Sequence, residues 1–385
     1  MINCTRLLCS KEGFYDEIRY KKGKPADTNR PIVVWNSTKK CNLKCVHCYF
    51  DAKAEKERNE LTTGQAKLMI DDLADFGAPV LLFSGGEPLM RQDFFTLGSY
   101  AVTKGLRAVI STNGTLITKE AAKKINDAGF SYVGISLDGL KAVNDKFRCQ
   151  DGAFEKSLEG IRNCMKNGVR VGLRFTINKY NFRDIPGIFD LIEAEGIPRA
   201  CFYHLVYSGR GSAMVKDDLT APQARDVMDL IFERTKRLCA KDMNAEILTV
   251  DNHADGVYLY LRLKEKDNKQ AVDVMGLLKI NGGNKSGIGI ADVDNLGNVH
   301  ADQFWGHYSF GNVLERKFSE IWSDETDELL KNLRNRLTLL KGKCGRCAFK
   351  DICAGNFRVR AEAVYNDVWQ EDPACYLTEK EIADR

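Results

Sequence analysis

Short apolar runs alternate with amphipathic segments from residue 31 to about 206. Residues 31–35 (PIVVW) read as a buried strand. Residues 61–76 read as a helix with Thr63 at its N-cap and Leu68, Met69, Leu73 and Phe76 on one face. Gly77 ends that helix, and the chain returns as a strand over 80–83. The unit recurs: Gly105 precedes a strand at 108–111, Gly129 one at 132–136, Gly168 one at 169–177 and Gly196 one at 200–206. Strands alternating with glycine-closed helices predict an α/β fold, a parallel sheet with right-handed crossovers. Six such strands fit a partial (β/α)6 TIM-type barrel. A doubly wound open sheet is the alternative, which periodicity does not separate. In either, functional residues are expected just past the C-terminal strand ends. From about 215 the pattern turns helical, with Val227, Leu230, Ile231 and Leu238 on one face of 221–241. A glycine-rich stretch from 282 to 311 then reads as short strands and turns.

Composition narrows the class. Of 385 residues 44% are hydrophobic and 29% charged, and only 8 are proline, which argues against a disordered chain. Lysine and arginine (57) nearly balance aspartate and glutamate (53), so no nucleic-acid partner is expected. No apolar run approaches the roughly 18 residues of a membrane span, and the N-terminus lacks a secretory h-region. A cytoplasmic protein with reduced thiols is expected, in which clustered cysteines mean metal or redox chemistry rather than disulfides. Of 13 cysteines, Cys41, Cys45 and Cys48 form one group and Cys344, Cys347, Cys353 and Cys375 another. The scattered six (Cys4, Cys9, Cys149, Cys164, Cys201, Cys239) read as small buried hydrophobes.

Cys41-x3-Cys45-x2-Cys48 supplies three thiolates directly after a strand. An iron–sulfur cubane usually takes four, so three leave one iron open to a non-protein ligand. Zinc is the competing reading. It wants four ligands, and His47, between two cysteines, is awkwardly placed to be the fourth. At the second strand end stands Ser84-Gly85-Gly86-Glu87-Pro88, where glycines permit close backbone approach to a ligand and a carboxylate can accept from an ammonium. Arg174, among apolar neighbours in VGLRFTI, needs an anionic partner. The second group, Cys344-x2-Cys347-x5-Cys353-x21-Cys375, has enough thiolates to close a cluster, and tetrathiolate zinc fits it too.

Together the CxxxCxxC and GGEP motifs resemble the radical S-adenosylmethionine (SAM) family. That resemblance implies a [4Fe-4S] cluster on Cys41, Cys45 and Cys48 whose open iron binds SAM, and a 5′-deoxyadenosyl radical as the reactive species. It implies that Gly85, Gly86 and Glu87 bind SAM, that Ser136 and Arg174 meet its carboxylate or ribose, and that Asn113 lies near the adenosine, with Arg148 a further candidate. The second cysteine group resembles the SPASM or twitch extension, implying a second, auxiliary [4Fe-4S] cluster. The implied layout is an N-terminal extension (1–30), the barrel core (31–215), a helical linker on the substrate side (216–285) and an auxiliary-cluster domain (286–385).

Several segments occur together: VVWNSTKKCNLKCVHCYF, GLRFTI, YHLVYSGRG, NHADGVY, GGNKSG, DNLGNVHADQFW, GNFRVRA and EDPACYL. This ensemble is similar to the tetrapyrrole-modifying branch, and with TRLLCSKEGFYDEIRY it most resembles the members that remove two acetates from 12,18-didecarboxysiroheme to give iron-coproporphyrin III in heme biosynthesis. Propionate removal on the route to heme d1 is the neighbouring activity. An iron tetrapyrrole needs arginine forks and an axial ligand. Arg210, Arg358 and Arg360 are candidates for the first role, and His204, His253, His300 and His307 for the second. Trp305 and Tyr308 either stack on the macrocycle or fill core. A low-potential donor such as ferredoxin or flavodoxin and an anaerobic cytoplasm are implied. Two competing readings remain. A peptide-modifying member needs a leader-recognition domain, for which 1–30 leaves little room. A non-catalytic iron–sulfur carrier has no need of Gly85, Gly86, Glu87, Ser136 and Arg174.

Overall fold

The computed structural model describes residues 1–13, 16–20 and 30–383. Much of the 1–30 extension, including part of TRLLCSKEGFYDEIRY, therefore lies outside the described residues. The strands are β1 (Ile2–Asn3), β2 (Ile32–Asn36), β3 (Val80–Ser84), β4 (Arg107–Thr112), β5 (Tyr132–Ser136), β6 (Val171–Ile177), β7 (Arg199–His204), β8 (Glu246–Val250), β9 (Ile290–Val293) and β10 (Val299–His300). They form one sheet in the order β1-β8-β7-β6-β5-β4-β3-β2-β9-β10. Strands β2 to β8 pair in parallel with their chain neighbours, β9 adds in parallel to β2, and only β1 and β10 run antiparallel. The six strands expected from periodicity are β2 to β7. From β2 to β8 the order never reverses, and β9 adds at the outer edge of β2, so those seven strands have no topological switch point of the doubly wound kind; successive right-handed crossovers then keep the helices on one side and curl the sheet.

Alternation along the strands sorts the side chains. Val33, Trp35, Leu81, Phe83, Ile110, Val133, Ile135, Leu173 and Phe175 face the helices and build the core. The opposite parity (Val34, Leu82, Ser84, Ser111, Ser136, Arg174, Thr176 and Tyr203) faces a cavity on the other side. Glycine inside a strand makes room there: a methyl at Gly134 would stand 2.6 Å from Cδ of Arg174 on the adjoining strand.

The first long helix runs Thr63–Phe76, and its cap is Thr62, one residue earlier than expected. Thr62 and Gln65 form a reciprocal capping box, and Gly77 closes the helix in the left-handed region at φ 81°. Met69 and Leu73 are buried, but Leu68 is 71% exposed, because the face set by Ala66, Met69, Ile70 and Leu73 turns it to solvent. One expectation about the scattered cysteines fails: Cys9 and Cys239 form a disulfide. The helix Cys4–Cys9 packs against Ala221–Ala240 and brings the two thiols together. Cys149 is exposed, whereas Cys4, Cys164 and Cys201 are buried. Among the described residues no helix is long and apolar enough to cross a membrane.

Replacing Thr62 by alanine removes the hydroxyl that accepts from Gln65 N and leaves the Thr62 N–H to the Gln65 side chain. We expect a loss of about 1 kcal/mol, read as a lower urea midpoint with unchanged slope.

Candidate functional site

The C-terminal ends of β2 to β8 surround a cavity of about 1090 Å3, counting its open mouth. Cys41, Cys45 and Cys48 line it, with Gly85, Gly86, Asn113, Ser136, Arg174, His204 and Arg210. Each thiol has an N–H aimed at its sulfur: Leu43 N at 3.4 Å from Cys41, Arg148 Nη1 at 3.6 Å from Cys45 and Ala52 N at 3.4 Å from Cys48. Such donors stabilise thiolate and cluster sulfur. Burial pushes the Cys41 thiol up to about 12 and raises Cys45 as well, so metal loading displaces protons. His47 does not join the cysteines. Its ring stacks on Phe147 at 4.5 Å, and Nε2 lies 3.2 Å from Asp138. Among the described residues no three His, Cys, Asp or Glu side chains converge tightly enough for a single metal ion. Thiols that ring a cavity suit a body larger than one ion, as an iron–sulfur cubane is.

Gly85 and Gly86 line the cavity, and their turn also packs on the chain that precedes the first cysteine. A methyl on Gly85 would meet the Thr38 carbonyl oxygen at 2.7 Å, and one on Gly86 the Lys40 oxygen at 2.2 Å. The turn lies against the backbone that leads into Cys41, with Gly86 N donating to Thr38 O (2.7 Å) and Glu87 N to Lys40 O (2.8 Å). The Glu87 carboxylate is fully buried. It accepts from Thr112 Oγ1 (2.8 and 2.9 Å), Asn113 N (2.9 Å) and Leu89 N (3.2 Å). It ties β3 to β4 and is not turned toward an ammonium in the cavity. Asn113 in turn donates to Asn42 Oδ1 at 2.9 Å, within the cysteine loop.

Arg174 and Ser136 are register partners on β6 and β5. The Arg174 guanidinium lies 4.7 Å over the Tyr203 ring and has no carboxylate partner among the described residues. Two buried aspartates, Asp138 behind His47 and Arg148 and Asp251 on the cavity wall, have opposite environments. Burial disfavours the Asp138 anion, but Arg148 and His47 more than offset it and hold its carboxyl below the ordinary range. Asp138 also accepts from Thr176 N at 2.8 Å. Asp251, just after β8, lines the cavity in the left-handed region (φ 66°), and burial, only partly offset by Arg360, pushes it up to about 6.

A second cavity is ringed by Cys344, Cys347, Cys353 and Cys375. Phe349 N points at Cys347 Sγ and Asp372 N at Cys344 Sγ, both at 3.4 Å. Arg358, expected to meet substrate, is instead internal here: it donates to the carbonyls of Val368, Gln370 and Gly355 and lies 3.9 Å from Cys344 Sγ. Arg360 is also internal, paired through both nitrogens with Asp372 and donating to Leu205 O and Asp251 O. Arg210 clamps the first cysteine loop through Cys45 O (2.9 Å), Ala52 O (2.8 Å) and Asp51 (2.9 Å).

Of the four axial-ligand candidates only His204 borders the first cavity among the described residues; His47, which also lines it, is held between Phe147 and Asp138. His300 is buried, with Nδ1 2.7 Å from Tyr308 O and Nε2 3.5 Å from Asp294. His307 is exposed beside Glu362 (2.8 Å), and His253 Nε2 meets the Met1 amino group at 2.7 Å. Trp305 is core, with Leu333 and Phe357.

Sequence reading missed Tyr49, Asp251, Gln303 and Phe304, which all line the first cavity. The run EILTV at 246–250 was the available signal for Asp251: reading it as a strand places Asp251 at its C-terminal end.

A family model described as the radical SAM superfamily matches residues 35–192. Over 394 residues the chain is 56% identical to the Fe-coproporphyrin III synthase of Methanosarcina barkeri, with 99% of each covered. The chain belongs to the radical SAM superfamily. It is a radical SAM enzyme, and that membership carries SAM and one [4Fe-4S] cluster. It is also 42% identical to the pre-heme d1 synthase of Dinoroseobacter shibae, over 92% of this chain and 88% of that one. The crystal structure of Streptococcus suis SuiB bound to S-adenosylmethionine shares the fold, with a TM-score of 0.71 at 18% identity over 90% of this chain and 77% of that one.

Gly86→Ala puts a methyl into the Lys40 carbonyl. We expect it to displace the loop carrying Cys41 and to lower iron and sulfide bound at the first site, with the circular-dichroism spectrum retained. Wild-type iron content would contradict this account of the turn.

Proposed function

We propose that this chain removes the two acetate side chains of 12,18-didecarboxysiroheme to give iron-coproporphyrin III. The observation that carries the reading is the 56% identity, over nearly the whole chain, to an Fe-coproporphyrin III synthase. The cavity is compatible with it: three cluster thiols, an arginine with no carboxylate partner, and apolar and aromatic walls at Leu205, Val206, Tyr203 and Phe304 share one space.

When bound, the cluster and SAM supply one-electron cleavage of a sulfur–carbon bond and hence a 5′-deoxyadenosyl radical. The chain's own residues do the rest. Cys41, Cys45 and Cys48 hold the cluster, and Arg210 and the Gly85–Gly86 turn fix their loop. Arg174 and Ser136 meet the SAM carboxylate or ribose, and Asn113 stands beside the adenosine. With Glu87 engaged by Thr112, Asn113 and Leu89, the SAM ammonium is left to peptide carbonyls of the turn. The second cysteine set holds an auxiliary [4Fe-4S] cluster of the SPASM or twitch kind within residues 286–385, beyond a barrel core at 31–215 and a linker at 216–285. Electrons come from a ferredoxin- or flavodoxin-like donor.

The test is anaerobic turnover of reconstituted protein with SAM, a low-potential reductant and 12,18-didecarboxysiroheme, followed by mass spectrometry. Loss of two acetates with deoxyadenosine is expected. Loss of propionates would transfer the chain to the heme d1 reaction, and deoxyadenosine without substrate change would reject this substrate. Cys41→Ala should abolish SAM cleavage, whereas Cys353→Ala should keep uncoupled cleavage and lose product. Arg174→Met removes a charge-assisted contact of about 1.5–3 kcal/mol. Its SAM Kd should rise at least about tenfold with the cluster absorbance unchanged.

A further inference from the structure

His204 ends β7 and lines the first cavity, nearly buried. Its Nε2 lies 3.0 Å from Asp255 Oδ2, and the other oxygen of the same carboxylate accepts from Tyr376 Oη at 2.6 Å. Asp255 is fully buried in the first turn of the helix Ala254–Lys264. The rings of His204 and Tyr376 lie nearly parallel, with centroids 6.4 Å apart. The Tyr376 hydroxyl is the donor in that contact and the carboxylate the acceptor. Asp255 is thereby fixed as the acceptor for Nε2–H, which selects the tautomer with a lone pair on Nδ1. No hydrogen bond engages Nδ1 among the described residues.

A histidine whose far nitrogen donates to a carboxylate, itself oriented by a further donor, is how proteins present imidazole to a metal. The carboxylate fixes the ring and raises its basicity. The three cluster thiols already have their own task, and among the described residues no three protein side chains converge near His204 to share a protein-held ion. A metal that reaches Nδ1 therefore has to arrive with the substrate. Resting on the tetrapyrrole reading above, we propose that His204 is the axial ligand of the substrate's iron, with Asp255 and Tyr376 as its positioning residues. Tyr376 directly follows Cys375, which rings the second cavity. The chain that closes the second cysteine set thus also sets the geometry of the iron ligand, so the two sites share a mechanical anchor.

The experiment uses the full chain with its clusters reconstituted, anaerobically, and two probes: ferrous iron-coproporphyrin III and metal-free coproporphyrin III. Dissociation constants come from Soret titration, and the iron–histidine stretch from resonance Raman on the ferrous complex. Wild type should bind both pigments and show the stretch. His204→Ala should lose the stretch, weaken the iron pigment selectively, leave the metal-free pigment unchanged, and regain the band with added imidazole. Asp255→Asn should keep the band at lower frequency and weaken the iron pigment by about tenfold. An iron–histidine band that persists in His204→Ala overturns the assignment. Equal weakening of both pigments in that variant does the same, since it marks a structural role. If wild type binds neither pigment, the tetrapyrrole reading itself falls. If it binds both without an iron–histidine band, that reading stands and only the ligand assignment fails.

Discussion

The site depends on one close contact between peptide backbones. The turn after β3 lies so tightly on Thr38–Lys40 that neither of its glycines has room for a side chain, and the residue that follows those carbonyls is Cys41, the first cysteine of the loop. Glu87 carries the constraint onward by binding the end of β4 through a hydroxyl and a peptide N–H. Three strand ends are locked together before any cofactor is considered. A motif that reads as ligand chemistry is in its side chains an internal fastening, and it sets where three thiolates stand.

Electrostatics in the cavity divide along the same wall. On the cluster side Arg148 serves both Cys45 and Asp138, so a cation lies beside sulfur that carries negative charge once metal is bound. On the opposite side Asp251 is buried without a side-chain partner of this kind, and Arg360 reaches only its carbonyl. Arg148 and His47 thus favour the Asp138 anion, while burial disfavours that of Asp251.

The parallel sheet, the two cysteine sets and the strand-end residues Asn113, Ser136 and Arg174 were legible because each rests on a local signal: period-two apolar runs, Cys spacing, a lone charge in an apolar strand. Other features were not legible, for identifiable reasons. The last three strands are short and set among helices and glycine turns, so β8 was not recognised and Asp251 went unseen with it. Arg210, Arg358 and Arg360 look on paper like carboxylate forks, yet backbone carbonyls and Asp372 claim them, and sequence does not reveal which peptide oxygens are left without partners. Histidine choice fails for the same reason: what separates His204 from His300 is that a backbone carbonyl claims Nδ1 of His300, whereas His204 lines the cavity. The Cys9–Cys239 bond joins residues from opposite parts of the chain and has no spacing signature.

The sheet order also dictates a sequence of events during synthesis. Strand β2, which delivers the chain to Cys41, has one neighbour, β3, that follows it closely, and another, β9, that exists only after most of the polypeptide has been made. The antiparallel partner of β1, likewise, is the late strand β8. Contacts of such long sequence separation form slowly. The cysteine loop therefore spends the period of translation with one flank unsupported, and delivery of iron and sulfide is best matched to a nearly finished chain.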